Sequence, residues 1–240
     1  MIGGGKSIKE IVRRKKREKV AMAVTKNILC FTMFLLTLNY VLVDKVLAQH
    51  ANPSLSAIVL FGVPSLKEIK QNKNIKPDEC FQKYLNAVPP KSYLFSAIDP
   101  SGPEDALKYR QRNLEEQIVV IMGEKTRDEA RTFSLNVSLC VEWEGMSENP
   151  LNEANFVDNW LSKRPGTPIA PFLYLFKAHR LRAGYESAKA GHEKGLWPIL
   201  AREYKRSLVK AMSYANPLIS CIVKDMEAQP YVYLEGYGRP

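Results

Sequence analysis

Only three histidines and four cysteines occur in these 240 residues. The cysteines of the chain's body, Cys80, Cys140 and Cys221, lie tens of residues apart and match no metal-ligand spacing, so no metal is expected. G-x-S-x-G, H-E-x-x-H and G-x-G-x-x-G are all missing, which removes the common signatures of hydrolases, zinc peptidases and dinucleotide-binding enzymes. Gly3-Gly4-Gly5-Lys6-Ser7 ends like a phosphate-binding loop but lacks that loop's first glycine and preceding strand. No cofactor is expected. Charge is missing too, over one stretch: nothing between Lys26 and Asp44 ionises.

What is present is an ordinary globular composition, 45% apolar and 25% charged, with a net charge of +10. The charge is unevenly placed. Residues 1–26 hold nine basic side chains (Lys6, Lys9, Arg13, Arg14, Lys15, Lys16, Arg17, Lys19 and Lys26) against Glu10 and Glu18. That surplus of seven leaves only three of the +10 for the rest of the chain. A polyanion groove needs its own positive excess, so the body is not expected to bind nucleic acid. Arg13 to Arg17 alone would carry that function or a nuclear address.

The apolar run from Ile28 to Val43 directly follows this basic segment. A positive region followed by an apolar core is the pattern of a signal peptide, and Val46-Leu47-Ala48 would fit cleavage after Ala48. Left uncut, Val20 to Val43 is long enough to cross a bilayer, with Lys26 snorkelling to the interface. Either way residues 1–48 address the chain to a membrane. The basic run stays on the cytoplasmic side and the body is exported or anchored beyond it. A helix of the same composition buried inside a cytosolic protein is the competing reading.

Residues 49–76 read as an irregular linker. Ser56 to Val63 within them could be either a strand or a short helix. Residues 77–240 read as a helical domain, which makes the expected class mainly α. Pro77-Asp78-Glu79 opens a helix through Phe81, Tyr84, Leu85 and Val88, and Pro89-Pro90 stops it. Pro103-Glu104-Asp105 opens another that runs to Gly123. Thr126 and Glu129 have capping-box spacing and head a helix carrying Phe133, Val137, Cys140 and Val141, ending near Gly145. Helices from Pro150 and from Thr167-Pro168 form an antiparallel hairpin over 150–190, turned at Pro165-Gly166. Its outline is similar to one unit of a tetratricopeptide-type solenoid, though no second copy recurs at a fixed period. Trp197-Pro198 and Asn216-Pro217 open the last two. Tyr231, Tyr233 and Tyr237 mark an extended tail.

Few side chains suggest chemistry. His50 adjoins the cleavage point and His192 follows Gly191 in a loop. His179 shares a helix with Arg182 and Glu186, near Arg180 and Tyr185, the densest polar cluster on an otherwise apolar helix. It could recognise an anion, or pair His179 with Glu186 in acid–base catalysis as in an exported hydrolase. An ordinary surface ion pair between Arg182 and Glu186 is the simpler account. Glu142 and Glu144 flank Trp143, but residues two apart on a helix face different ways, and a core role for Trp143 is simpler. Asn136-Val137-Ser138 is a glycosylation sequon placed within a helix. Cys80, Cys140 and Cys221 read as small core residues, with one disulfide open to them after export. The expectation is an exported or membrane-tethered helical protein, binding a protein partner and not acting as an enzyme.

Overall fold

The computed structural model describes residues 54–62, 65–73, 75–96, 102–140 and 147–228, all within the compact unit Ala51–Pro240. The expected signal or anchor segment, the proposed cleavage point, His50, Glu142-Trp143-Glu144 and the tyrosine tail lie outside the described residues. Those described contain helices and no strands, so the chain is mainly α.

Nine α-helices follow one another through these residues. They are α1 (Leu55–Phe61), α2 (Leu66–Gln71), α3 (Glu79–Ala87), α4 (Pro103–Met122), α5 (Arg127–Asn136), α6 (Glu148–Lys163), α7 (Ala170–Ala190), α8 (Trp197–Met212) and α9 (Pro217–Ala228). Short 3₁₀ turns cover Tyr93–Phe95 and Glu124–Thr126. The ambiguous run after Ser56 is helix α1. Gly62 ends it at φ +81°, its N–H bonded to the carbonyls of Ala57 and Ile58. Glycine enters that left-handed conformation without the Cβ clash other residues meet.

Local capping explains most boundaries. Ser65 and Glu68 form a complete capping box at α2, the Ser65 N–H donating to Glu68 Oε2 at 2.6 Å. Asp78 caps α3 by accepting the Phe81 N–H at 2.7 Å, so Pro77 lies one residue before the cap. Asn216 caps α9 through Leu218 and Ile219, and its Nδ2 donates to the Ile121 carbonyl, tying α9 to the end of α4.

Two local expectations fail. Thr126 and Glu129 form no capping box. Thr126 Oγ1 donates to the Gly123 carbonyl, while Glu129 accepts from Arg164 and Thr167 at 2.9 Å each. Tertiary partners across the hairpin turn outbid the local cap. Helix α5 also stops at Asn136, where Val137 turns extended, so Val137 and Cys140 are not helical. The sequon therefore sits at a helix end, with Asn136 and Ser138 exposed.

The hairpin of α6 and α7 turns at Gly166, φ +83°. Its antiparallel register is recorded by Lys177 Nζ to Asp158 Oδ1 at 2.7 Å and Arg180 Nε to Glu153 Oε2 at 2.6 Å. Gly184 and Leu151 continue that register: a Cβ built on Gly184 would lie 2.5 Å from Leu151 Cδ2. The main core gathers α7 residues Phe172, Leu173, Leu175 and Phe176 with Phe133, Tyr84, Ile118 and Ile222. Phe133 stands edge-on to both Trp160 and Phe176, an arrangement that suits the aromatic quadrupole.

Long-range ties hold the first helix to the last. Asp225 on α9 accepts from Ser54 Oγ and from the N–H groups of Leu55 and Ser56, supplying the N-terminal cap of α1 from a distant part of the chain. Cys80 on α3 and Cys221 on α9 form a disulfide, with Cα atoms 5.4 Å apart and a sequence separation of 141 residues. Closing so long a loop removes about 5 kcal/mol of unfolded-chain entropy in the chain-entropy model. Cys140 is half-buried and takes no part in that disulfide.

Candidate functional site

Helix α7 departs from the stripe its sequence suggests. Ile169, Phe172, Leu173, Phe176 and Leu181 are buried, and so are His179, Arg180, Arg182 and Glu186. The helix runs through the middle of the molecule, between α6 and α8 and against α1, α4 and α9. Polar residues on such a helix have no solvent side to occupy. The surface ion pair expected of Arg182 and Glu186 is thus an interior one.

The four polar residues separate into two groups. Arg180 is 1% exposed and its guanidinium is held on every side. Nε donates to Glu153 Oε2 at 2.6 Å, and Nη1 lies 2.7 Å from the Leu60 carbonyl and 2.8 Å from His179 Nδ1. The Phe176 ring lies 4.0 Å beneath it. Glu153 accepts the Cys140 N–H with its other oxygen at 3.0 Å. This pair joins α6, α7, α1 and the loop after α5 in one hydrogen-bonded unit, which is what a buried charge requires.

Arg182 and Glu186 are less complete. A single 3.3 Å bond joins Arg182 Nε to Glu186 Oε1, and Arg182 Nη2 and Glu186 Oε2 are buried without a partner. Burial raises the Glu186 carboxyl to about 6, against the opposing pull of Arg182.

His179 is 2% exposed and stacks on Phe61, ring centroids 6.1 Å apart. Burial, then the guanidinium groups of Arg180, Arg182 and Arg110, push its pKa well below the usual histidine range. The imidazole is neutral near pH 7. His179 and Glu186 are separated by seven residues, about 10 Å of helix axis. The structure brings Arg182 to Glu186 and His179 to Arg180, and it surrounds the imidazole with cations.

Sequence reasoning passed over two members of this region. Glu153 on α6 neutralises Arg180, yet its sequence neighbourhood resembles any amphipathic helix. Arg110 on α4 contributes a third guanidinium, its carbon 5.4 Å from the Phe61 ring centroid. Burial and the neighbouring Arg180 bring its pKa down to about 10. Between Arg110 and Arg180 lies a cavity of about 30 Å³. Tyr109, Asn113, Phe61 and Gly62 also line it. Among the described residues, no group of three His, Cys, Asp or Glu side chains is placed to hold a metal ion.

A different surface lies on α8. Leu200, Ser207, Leu208 and Ala211 face inward. The opposite side presents Arg202, Lys205, Arg206 and Lys210 together with Ile199, Val209 and Met212, which are 46, 71 and 43% exposed. At 100° per residue these seven fall within one broad face. Glu203 is the one acid of the helix; it is half-buried at the margin and bonded to Arg206 at 2.8 Å.

No protein-family model, no curated protein and no solved structure matches this chain.

Proposed function

We propose that the chain is an exported or membrane-tethered, non-enzymatic helical module that binds an acidic protein partner through the outer face of α8. The observation that carries this reading is the composition of that face: four cations and three large exposed apolar side chains, with no exposed acid. A surface that joins positive charge to desolvatable area suits a partner with acidic residues around an apolar patch, because charge steers the encounter and apolar burial slows release. Arg202 and Arg206 precede Val209 by about two turns and one turn on the same face, and arginine is enriched among the contacts that carry most binding energy. Export is supported separately by the apolar run after Lys26 and by the Cys80–Cys221 disulfide, since such bonds persist in oxidising compartments.

The test introduces a photo-cross-linking residue at Val209 in the full-length chain, expressed in its own cells. The reading expects a discrete adduct with an extracytoplasmic protein of acidic surface. Arg202→Glu with Arg206→Glu should abolish the adduct while leaving the melting curve in place. An adduct with lipid, or a protein adduct indifferent to the charge reversal, would refute the acidic-partner reading. A reduced Cys80–Cys221 pair in the cell-derived protein would refute export.

A further inference from the structure

The cavity beside Arg110 differs from every other polar site in the interior. Among the described residues the two buried guanidinium groups each have a carboxylate: Arg180 has Glu153 at 2.6 Å and Arg182 has Glu186 at 3.3 Å. The half-buried Arg110 has no carboxylate at hydrogen-bond distance among the described residues, and its Nη1 atom is enclosed there without a partner. The two other orphaned atoms on charged groups, Arg182 Nη2 and Glu186 Oε2, are a donor and an acceptor on one ion pair, so their charges balance each other. The orphan on Arg110 is a donor on a cation that the Glu153 carboxylate offsets only from a distance, Glu153 being bonded to Arg180. Water completes its hydrogen bond but leaves its charge only partly balanced, and charge is the expensive part of burial.

We infer that the space between Arg110, Arg180 and Asn113 is a binding site for one small, singly charged anion, a halide or a single carboxylate group. The size follows from the cavity: about 30 Å³ takes one or two water-sized groups, too little for a phosphate ester. The access route runs along α4. Tyr109, Arg110 and Asn113 are all half-buried, and Asn113 stands one turn beyond Arg110. On the far side, Gly62 leaves room for the Asn113 amide; a Cβ there would lie 3.6 Å from Asn113 Oδ1. The site thus combines a fixed guanidinium, an amide that can turn its N–H₂ inward, and a positive surround shared with Arg180.

The experiment follows thermal unfolding of the full-length chain in detergent at constant ionic strength, replacing gluconate, which is too large to enter, with chloride or formate. Binding to the native state raises the midpoint with the logarithm of one plus the ratio of ligand concentration to Kd. The expected result is a rise of a few degrees for the wild type that grows with the logarithm of anion concentration, lost in Arg110→Gln and kept in Lys108→Gln, an exposed neighbour on the same helix. A larger rise with formate than with chloride assigns a carboxylate; the reverse assigns a halide. Equal slopes in wild type and Arg110→Gln would overturn the site, as would no anion dependence at all. Dependence that arises only after Glu142→Gln or Glu144→Gln would overturn it as well, by assigning the place to the chain's own carboxylate. Should Arg110→Gln fail to fold, bromide-soaked crystals of the wild type decide: an anomalous peak beside Arg110 Nη1 supports the site, and its absence refutes it.

Discussion

Two ion pairs lie a turn apart on α7 and differ in almost everything except composition. Arg180–Glu153 spans two helices at 2.6 Å and draws in the Leu60 carbonyl, the Cys140 N–H and the Phe176 ring. Arg182–Glu186 stays within one helix, touches at 3.3 Å and leaves an atom unmet on each side. Both are buried, so burial alone does not distinguish them. The number of further hydrogen bonds each charge completes does, because a desolvated ion is tolerated only when its remaining donors and acceptors are also met. The first pair organises tertiary structure; the second is a local contact that the interior has closed over.

Breaking the better pair should cost the most. Glu153→Ala strands Arg180 and the Cys140 N–H in the interior, and the expected loss is about 3–5 kcal/mol by denaturant unfolding. Replacing both partners together, Glu153→Leu with Arg180→Met, should cost less than the single change, because no charge is then abandoned. A double variant worse than Glu153→Ala would show that the pair contributes mainly through packing.

Gly184 sits between the two pairs in their effect on α7, since it sets how closely α6 approaches. Ala at this position would drive its Cβ into Leu151, 2.5 Å from Cδ2 and 2.8 Å from Cγ. Gly184→Ala should cost about 1–3 kcal/mol despite the better helix propensity of alanine. Leu151→Ala in the same chain should return part of that loss, a coupling visible in a double-mutant cycle. Independent effects would mean the helices part without strain.

How much of this was legible beforehand depends on how local the cause is. The starts at Pro103, Trp197 and Pro217 were readable because proline and its neighbours act within a turn. The Thr126–Glu129 box was misread because Glu129 has better partners in Arg164 and Thr167, and no local pattern announces a contact more than thirty residues away. The same holds for the site. His179, Arg182 and Glu186 stood out as polar groups on an apolar helix, but their burial comes from five surrounding helices. Glu153 and Arg110 gain their meaning only from α7, and Cys80 with Cys221 only from the packing of α9 on α3.

The smallest expected effect is the most informative about the weaker pair, and it appears in pH dependence. Burial pushes the Glu186 carboxyl up to about 6, from about 4.5 for a free glutamate. A raised carboxyl pKa favours the protonated native state, so its contribution is fully present below about 4.5 and is lost as pH rises through about 6, a change of about 2 kcal/mol. His179 acts in the opposite sense. Its folded pKa is depressed below 6.5, so its contribution is present above 6.5 and is lost progressively as pH falls. Between pH 4.5 and 6 the two slopes oppose each other, so each partly offsets the other in the wild type. Glu186→Gln removes one of them and should make stability fall more steeply with acid through that window, while changing it by only about 1 kcal/mol at pH 7.5. His179→Gln should do the reverse, giving a protein that gains stability as pH drops from 6 to 4.5. Half-buried Glu203→Gln, which breaks the pair with Arg206 at the surface, should leave the profile unchanged in this range. If Glu186→Gln also leaves it unchanged, Glu186 is solvated in the native state and the contrast between the two pairs on α7 is one of geometry without a difference in burial energy.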